Sequence, residues 1–160
     1  MVTAIFVESE KKRFKMKIGV SLVLIREEKV LLIKRFNTGI GDGLHVLPMG
    51  CVDEPETAQE ALVRETKEEV NLNLVPSSLE LVHTMHRVHH MPDGASFKQI
   101  DLFFQSKYFT GEIKNMEPHK CDEVEFYDLN ALPETTESFV RQALSCIHKG
   151  ISYSEIGWES

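Results

Sequence analysis

RETKEE, residues 64–69, crowds three glutamates and an arginine into six positions. Its meaning depends on which way the acids point. Just upstream, Thr57-Ala-Gln-Glu60 has the form of a capping box, with Thr57 bonding forward and Glu60 reaching back to the free amides of a first helical turn. Good helix formers follow, and Asn71 is the usual substitute for glycine at the left-handed position that ends a helix. One helix is therefore predicted from about Ala58 to Val70.

With about 100° per residue and Ala58 at zero, Ala61 and Leu62 define an apolar stripe centred near Ala58. Glu65 and Glu69 fall within about 20° of that centre, Glu68 lies on its flank, and Lys67, Glu60, Val63 and Gln59 point the other way. A helix that only wets itself turns its acids away from alanine and leucine. This one does the reverse. Carboxylates facing an interior repel one another and lose hydration unless they protonate, meet buried arginines or bind a divalent metal. Oxygen ligands at i, i+3 and i+4 suit Mg²⁺ or Mn²⁺. The competing reading is an i,i+4 ladder of Glu60, Arg64 and Glu68, with Glu65 and Glu69 exposed near the end of the stripe. Spacing alone leaves both standing.

The chain around this helix has 160 residues, 42% apolar and 27% charged, which suits one globular domain over residues 1–160. A net charge of −7 argues against a broad footprint for a nucleic-acid polymer or an anionic membrane, so an anionic ligand would need a local cation. Cys51, Cys121 and Cys146 are few and widely spaced, which indicates neither a disulfide framework nor a cysteine zinc site. The apolar run Ile18–Ile25 is about half a bilayer span. The first fifteen residues lack the order of a signal peptide, so a cytoplasmic protein is expected.

Outward from the helix, Met16–Ile25, a polar REEK break and VLLIKRF read as a hairpin of two strands. NTGIGDG (37–43) reads as a flexible connection, since neither a P-loop nor a dinucleotide fingerprint fits it. Pro48 interrupts HVLPMG. LELVHTMHRVHHM, the turn PDGA and FKQIDLFFQSKYF form an antiparallel pair, NMEPHKCD a loop, EVEFYDL a short strand, and about 135–149 a second amphipathic helix. Strands, a helix, more strands and a closing helix predict an α/β fold with helices packed on a mixed sheet.

Read with its upstream context, residues 50–72, GCVDEPETAQEALVRETKEEVNL, resemble the Nudix box: Gly, five residues, Glu, seven residues, then Arg-Glu-U-x-Glu-Glu-x-Gly-U, with U bulky and apolar. Gly50, Glu56, Arg64, Glu65, Glu68, Glu69 and Leu72 fall in register. Thr66 stands where the apolar residue is usual, and Asn71 replaces the second glycine. The resemblance implies an α/β/α sandwich and hydrolysis of a nucleoside diphosphate linked to another group. It assigns the metal site, for Mg²⁺ or Mn²⁺, to Glu65, Glu68 and Glu69, with the Gly50 backbone close by. Arg64 would orient the carboxylates, and Glu56 would act structurally where the helix begins. For the general base it offers Glu65 first, then Glu117 or Glu123 from later segments.

NMEPHKCDEVEFYDLNALP resembles, more loosely, a segment of Nudix enzymes that act on nucleoside triphosphates. That favours a canonical or oxidised NTP or dNTP going to NMP and pyrophosphate. ADP-ribose or another diphosphate-linked nucleoside is the enzymatic rival, and a nucleotide-sensing module without catalysis is the rival from another class. Phe36, Asn37 and His45 are candidate substrate contacts from position. His83, His86, His89 and His90 alternate between strand faces and gain no cysteine partner, so strand histidines or phosphate contacts are expected in place of zinc. Trp158, in the tail, either docks on the core or helps form a homodimer.

Overall fold

The computed structural model describes residues 4–91 and 93–158. Helix α1 (Ala4–Lys12) leads into β1 (Lys17–Leu22), β2 (Ile25–Arg26), β3 (Lys29–Arg35), β4 (His45–Val46) and β5 (Met49–Cys51). Helix α2 (Ala58–Val70) follows, then β6 (Asn73–Leu74), a 3-10 turn (Pro76–Ser78), β7 (Leu79–His90), β8 (Ser96–Ser106) and β9 (Phe109–Thr110). The chain closes with β10 (Cys121–Asp128), α3 (Ser138–His148) and β11 (Tyr153–Ile156).

The main sheet runs β11-β7-β8-β1-β5, and it is mixed as predicted. The β7–β8 hairpin and the β1–β5 pair are antiparallel, whereas β1–β8 and β11–β7 are parallel. A second, antiparallel sheet runs β10-β3-β2 with β4 on β3, and β6 pairs with β9. Helix α2 packs on β1 and β5, and α3 packs on β7 and β11. Ala61, Leu62 and Val70 of α2 and Phe139, Val140 and Ala143 of α3 join Val20, Leu22, Leu31 and Phe103 in one core. Each buried Val, Leu or Phe side chain among these contributes about 1.5–3 kcal/mol relative to exposure. Among the described residues no helix is long and apolar enough to cross a membrane.

Three expectations need correction. The run from Met16 to Ile25 is not one hairpin strand: Val23 N–H bonds Phe104 in the main sheet, while Leu24 C=O accepts from Leu31 in the second. Both residues are buried, and an unbroken apolar run can serve two sheets in turn because nothing in it marks the corner. The true hairpin is β2–β3, turned by Glu27 and Glu28 at φ 48° and 64°. Strand β8 ends at Ser106, whose hydroxyl ties up the backbone of Tyr108, and Phe109 pairs instead with Leu74. Helix α3 begins at Ser138 because Thr135 C=O and Thr136 are held by His45.

Candidate active site

Helix α2 has the predicted bounds and both predicted caps. Thr57 Oγ1 accepts from Glu60 N–H at 3.3 Å, and Glu60 Oε2 accepts from Thr57 N–H at 2.8 Å. Glu60 is therefore spent on the cap, which removes it from the i,i+4 ladder. Asn71 sits at φ 60°, ψ 24°, donates its backbone N–H to Thr66 C=O, and adds side-chain bonds to Glu112 C=O and Lys67. Thr66 is fully buried, with its hydroxyl donated to Leu62 C=O at 2.8 Å, so the polar atom in the usual apolar position is satisfied. Val63, assigned to the outer face, is partly covered because β6 and the 3-10 turn lie alongside α2.

Arg64 is the hub of the helix face. Its Nε and Nη2 fork onto Glu56 at 3.0 and 2.6 Å, Nη1 donates to Glu65 Oε1 at 2.8 Å, and Nη2 also reaches Cys51 C=O at 3.1 Å. Paired so, Arg64 holds its proton beyond the ordinary arginine range, first through Glu56. Glu56 is in turn held down to about 2, by the guanidinium and by the Asp53 amide. Glu68 stands at the exposed edge, 3.5 Å from Arg64.

Glu65 and Glu69 turn inward, as the helical projection requires. Glu65 covers Gly50 on β5 so closely that a Cβ there would fall inside its carboxylate. Glu69 Oε2 accepts from Met49 N–H at 2.9 Å. Burial pushes the Glu69 carboxyl up to about 8, against that hydrogen bond, and the neighbouring Glu65 and Glu117 carboxylates add to the rise. Burial likewise raises Glu65.

Glu117 arrives from the loop before β10. Met116 N–H bonds Glu69 C=O and Lys114 N–H bonds Val70 C=O, which lays this loop along the end of α2. Asn115 braces it, accepting from Glu117 N–H and donating to Cys121 C=O. Glu65, Glu69 and Glu117 then line one cavity of about 360 Å³ with Asn37, Arg35 and Lys120. Among the described residues no group of three or more His, Cys, Asp or Glu is already gathered as a metal cage. The donor set nevertheless fits a hard divalent cation: the oxygens are carboxylate, Glu65 is half-buried and Glu69 more deeply so, and their mutual repulsion is under-compensated.

Other candidates are distributed differently. Asn37 reaches the carboxylate cavity, at φ 51°. Phe36 lines neither this cavity nor the next: its ring is exposed, and its backbone N–H bonds Lys120 C=O. His45 is buried, 2.8 Å from Thr135 Oγ1, and stacks edge-on against Tyr127. Glu123 is with it, accepting from the Tyr127 hydroxyl and 3.5 Å from His45 Nε2, away from Glu65 and Glu69. The 37–43 loop is organised around Asp42, whose carboxylate accepts from Thr38 and Gly39, while Arg35 donates to Ile40 C=O. It is a built wall, not a slack connection. His83, His86 and His90 hold the tail: His83 bonds Ile151 and Ser154, His90 bonds Gly157, and Trp158 docks on His86 with its indole N–H on His86 C=O.

A second cavity, of about 240 Å³, shares Arg35 with the first. Arg87, Gln99, Phe97, Phe139 and Lys17 line it, none of them a site candidate from sequence, where Phe139 reads only as part of the apolar face of the second helix. A signal was present: Gln99 and Asp101 alternate in register with buried Phe103, and Arg87 with buried His83 and Met85. Polar residues on a buried strand face are the same anomaly that marked Glu65 and Glu69 on their helix.

The sequence and the fold have known counterparts. A curated ADP-ribose pyrophosphatase of Methanocaldococcus jannaschii is 36% identical over 117 residues, 73% of this chain and 64% of that protein. The match thus spans less than two thirds of that relative's length. The MutT NUDIX hydrolase of Burkholderia pseudomallei superposes with a TM-score of 0.72 at 26% identity, covering 82% of this chain and 98% of that one. The MutT protein of Methanosarcina mazei Go1 shares the fold at a TM-score of 0.69 and 21% identity, over 86% of this chain and 97% of that one. The NUDIX domain family model matches residues 15–145, most of the chain and all of the carboxylate helix, and the chain belongs to the Nudix family.

Proposed function

We propose that the protein hydrolyses the phosphoric anhydride of a nucleoside triphosphate, releasing NMP and pyrophosphate, with Mg²⁺ or Mn²⁺ held by Glu65, Glu68 and Glu69 beside the Gly50 backbone. The observation that carries this reading is the wall shared through Arg35 by a carboxylate basin and a cavity with aromatic and amide lining. Such a pair suits a ligand with a polyphosphate at one end and a planar base at the other.

When bound, the metal would neutralise the acids, screen the polyphosphate and polarise a phosphoryl oxygen. The chain's own residues do the rest. Arg35 and Lys120 present cations to phosphate oxygens in an otherwise acidic protein. Arg64 fixes the Glu65 carboxylate through a 2.8 Å bond. Glu65 and Glu117, facing the same cavity, are the carboxylates positioned to take a proton from attacking water.

A second reading, ADP-ribose or a similar diphosphate-linked nucleoside, is favoured by the Methanocaldococcus jannaschii relative, an ADP-ribose pyrophosphatase. The deciding experiment offers NTPs, dNTPs, oxidised dNTPs, ADP-ribose, NADH and dinucleoside polyphosphates with Mg²⁺ and scores phosphate or pyrophosphate release. Release abolished by Glu68→Gln or Glu69→Gln supports the proposal. Binding without turnover across the panel would turn the protein into a nucleotide-sensing module. Turnover indifferent to both substitutions would remove the metal assignment.

A further inference from the structure

The cavity beside β8 holds an ion pair that the hydrolytic site leaves unused. Asp101 is fully buried and accepts from Arg87 Nε at 2.8 Å, and the buried Gln99 donates its amide N–H to the other Asp101 oxygen. Gly19, the cross-strand neighbour of Asp101, makes room for it, since a Cβ there would collide with Asp101 Oδ1. Apolar residues fill a core at least as well as a buried ion pair does, so a pair in this place points to a task.

The pair leaves atoms over. Among the described residues, neither Nη of Arg87 has a hydrogen-bond partner, nor does Gln99 Oε1, and both side chains line the cavity. The guanidinium plane is fixed on the Phe139 ring, 4.0 Å from its centroid. Asp101 cancels the charge of Arg87, and Glu137 and Lys17 carry opposite charges in the same wall, whose other arginine, Arg35, stands at the boundary with the carboxylate basin. A fixed donor fork whose charge is already matched by a buried carboxylate suits a neutral carbonyl edge better than a phosphate, which favours uncompensated cations. Exposed Phe97 offers a ring beside it for a planar ligand.

We propose that Arg87 reads the nucleobase, with Asp101 as its positioning residue, so that 6-oxopurine nucleotides are preferred to adenine nucleotides. This rests on the nucleotide-hydrolase reading and deepens it by naming the base. A 6-oxopurine offers the adjacent acceptors O6 and N7 to an arginine fork and its N1–H to an amide oxygen. Adenine sets an amino group where the carbonyl would be, donor against donor. ADP-ribose would then rank below its inosine counterpart.

IMP and AMP isolate that difference. Their binding is measured by calorimetry without divalent metal, alongside kcat/KM for ITP and ATP with Mg²⁺, in the wild type, Arg87→Lys and Asp101→Asn. The expected wild-type preference is about 10-fold or more for the 6-oxo member of each pair. Arg87→Lys brings both ratios close to one and Asp101→Asn lowers them, changes that a merely structural role would not produce. IMP binding no better than AMP, or not at all, overturns the proposal, as does a preference unchanged in Arg87→Lys. Should a variant fail to fold, the wild-type ratios decide alone. An IMP preference without triphosphate turnover sinks the hydrolase reading and spares this one; turnover without base preference does the opposite.

Discussion

The Glu65 carboxylate lies over the Cα of Gly50, in the space that any other residue's Cβ would occupy. Two distant parts of the chain are thereby locked: β5, fixed by pairing with β1, and the inward face of α2. The glycine is needed here for close approach and not for an unusual backbone angle, since it sits inside a strand. Gly50→Ala should push Glu65 aside while keeping both elements. A displacement of about 1 Å at a catalytic group costs on the order of 100-fold in rate, whereas overpacking of one methyl costs about 1–3 kcal/mol. Steady-state kinetics beside urea denaturation should show a large loss of kcat in a folded protein. Wild-type turnover would mean that Glu65 has no part in the chemistry.

Glu69 gives the metal reading a test independent of activity. Its carboxylate is driven up to about 8 by burial beside Glu65 and Glu117, which is a cost that a bound cation would offset. Metal-free Glu69→Gln should unfold at the same temperature as the wild type or higher. Mg²⁺ at about 100 times its Kd should stabilise the wild type by about 2.7 kcal/mol and the variant by far less. Equal Mg²⁺ shifts in the two proteins would place the ion elsewhere.

Glu56 provides a pH signature. Arg64 and then the Asp53 amide hold its carboxyl down to about 2, below the value of about 4.3 for an unfolded glutamate. Because the folded value is the lower one, the stabilisation is fully present above about 4.3 and is lost as pH falls through about 2. The stability difference between the wild type and Glu56→Gln, followed by urea denaturation, should be constant near neutrality and shrink through that acidic window. A difference that ignored pH would show that the Arg64–Glu56 fork contributes through shape and not charge.

What could be read in advance follows from how local each cause is. The bounds of α2, its capping box and the left-handed Asn71 depend on neighbours within a few residues, and the inward set of Glu65 and Glu69 needs only the helical period. The cavity wall depends on pairing. Arg87, Asp101 and Gly19 are scattered along the chain and meet because β7, β8 and β1 lie side by side. His45 looked like a ligand contact by its place after the glycine-rich loop, yet its ring is turned into Thr135, 90 positions away. The corner at Val23–Leu24 was hidden for a different reason: residues buried on both sides of a sheet change carry no alternation to mark it.

The loop before β10 separates the two later candidates for general base. Glu117 is drawn to Glu69 by the Met116 amide, braced by Asn115, and fixed by Lys120 at 2.7 Å. Glu123, six residues on, lies past the register shift of β10 and spends its carboxylate on Tyr127 and His45. Glu117→Gln should therefore lower kcat by about 100-fold or more with little change in KM, as loss of a proton acceptor does. Glu123→Gln should keep kcat and cost about 1 kcal/mol of stability, through a weaker bond to the Tyr127 hydroxyl. Parallel kinetics and denaturation of the two variants would decide. A slow, stable Glu123→Gln beside a fast Glu117→Gln would move the base to β10 and leave Glu117 as a brace for Lys120.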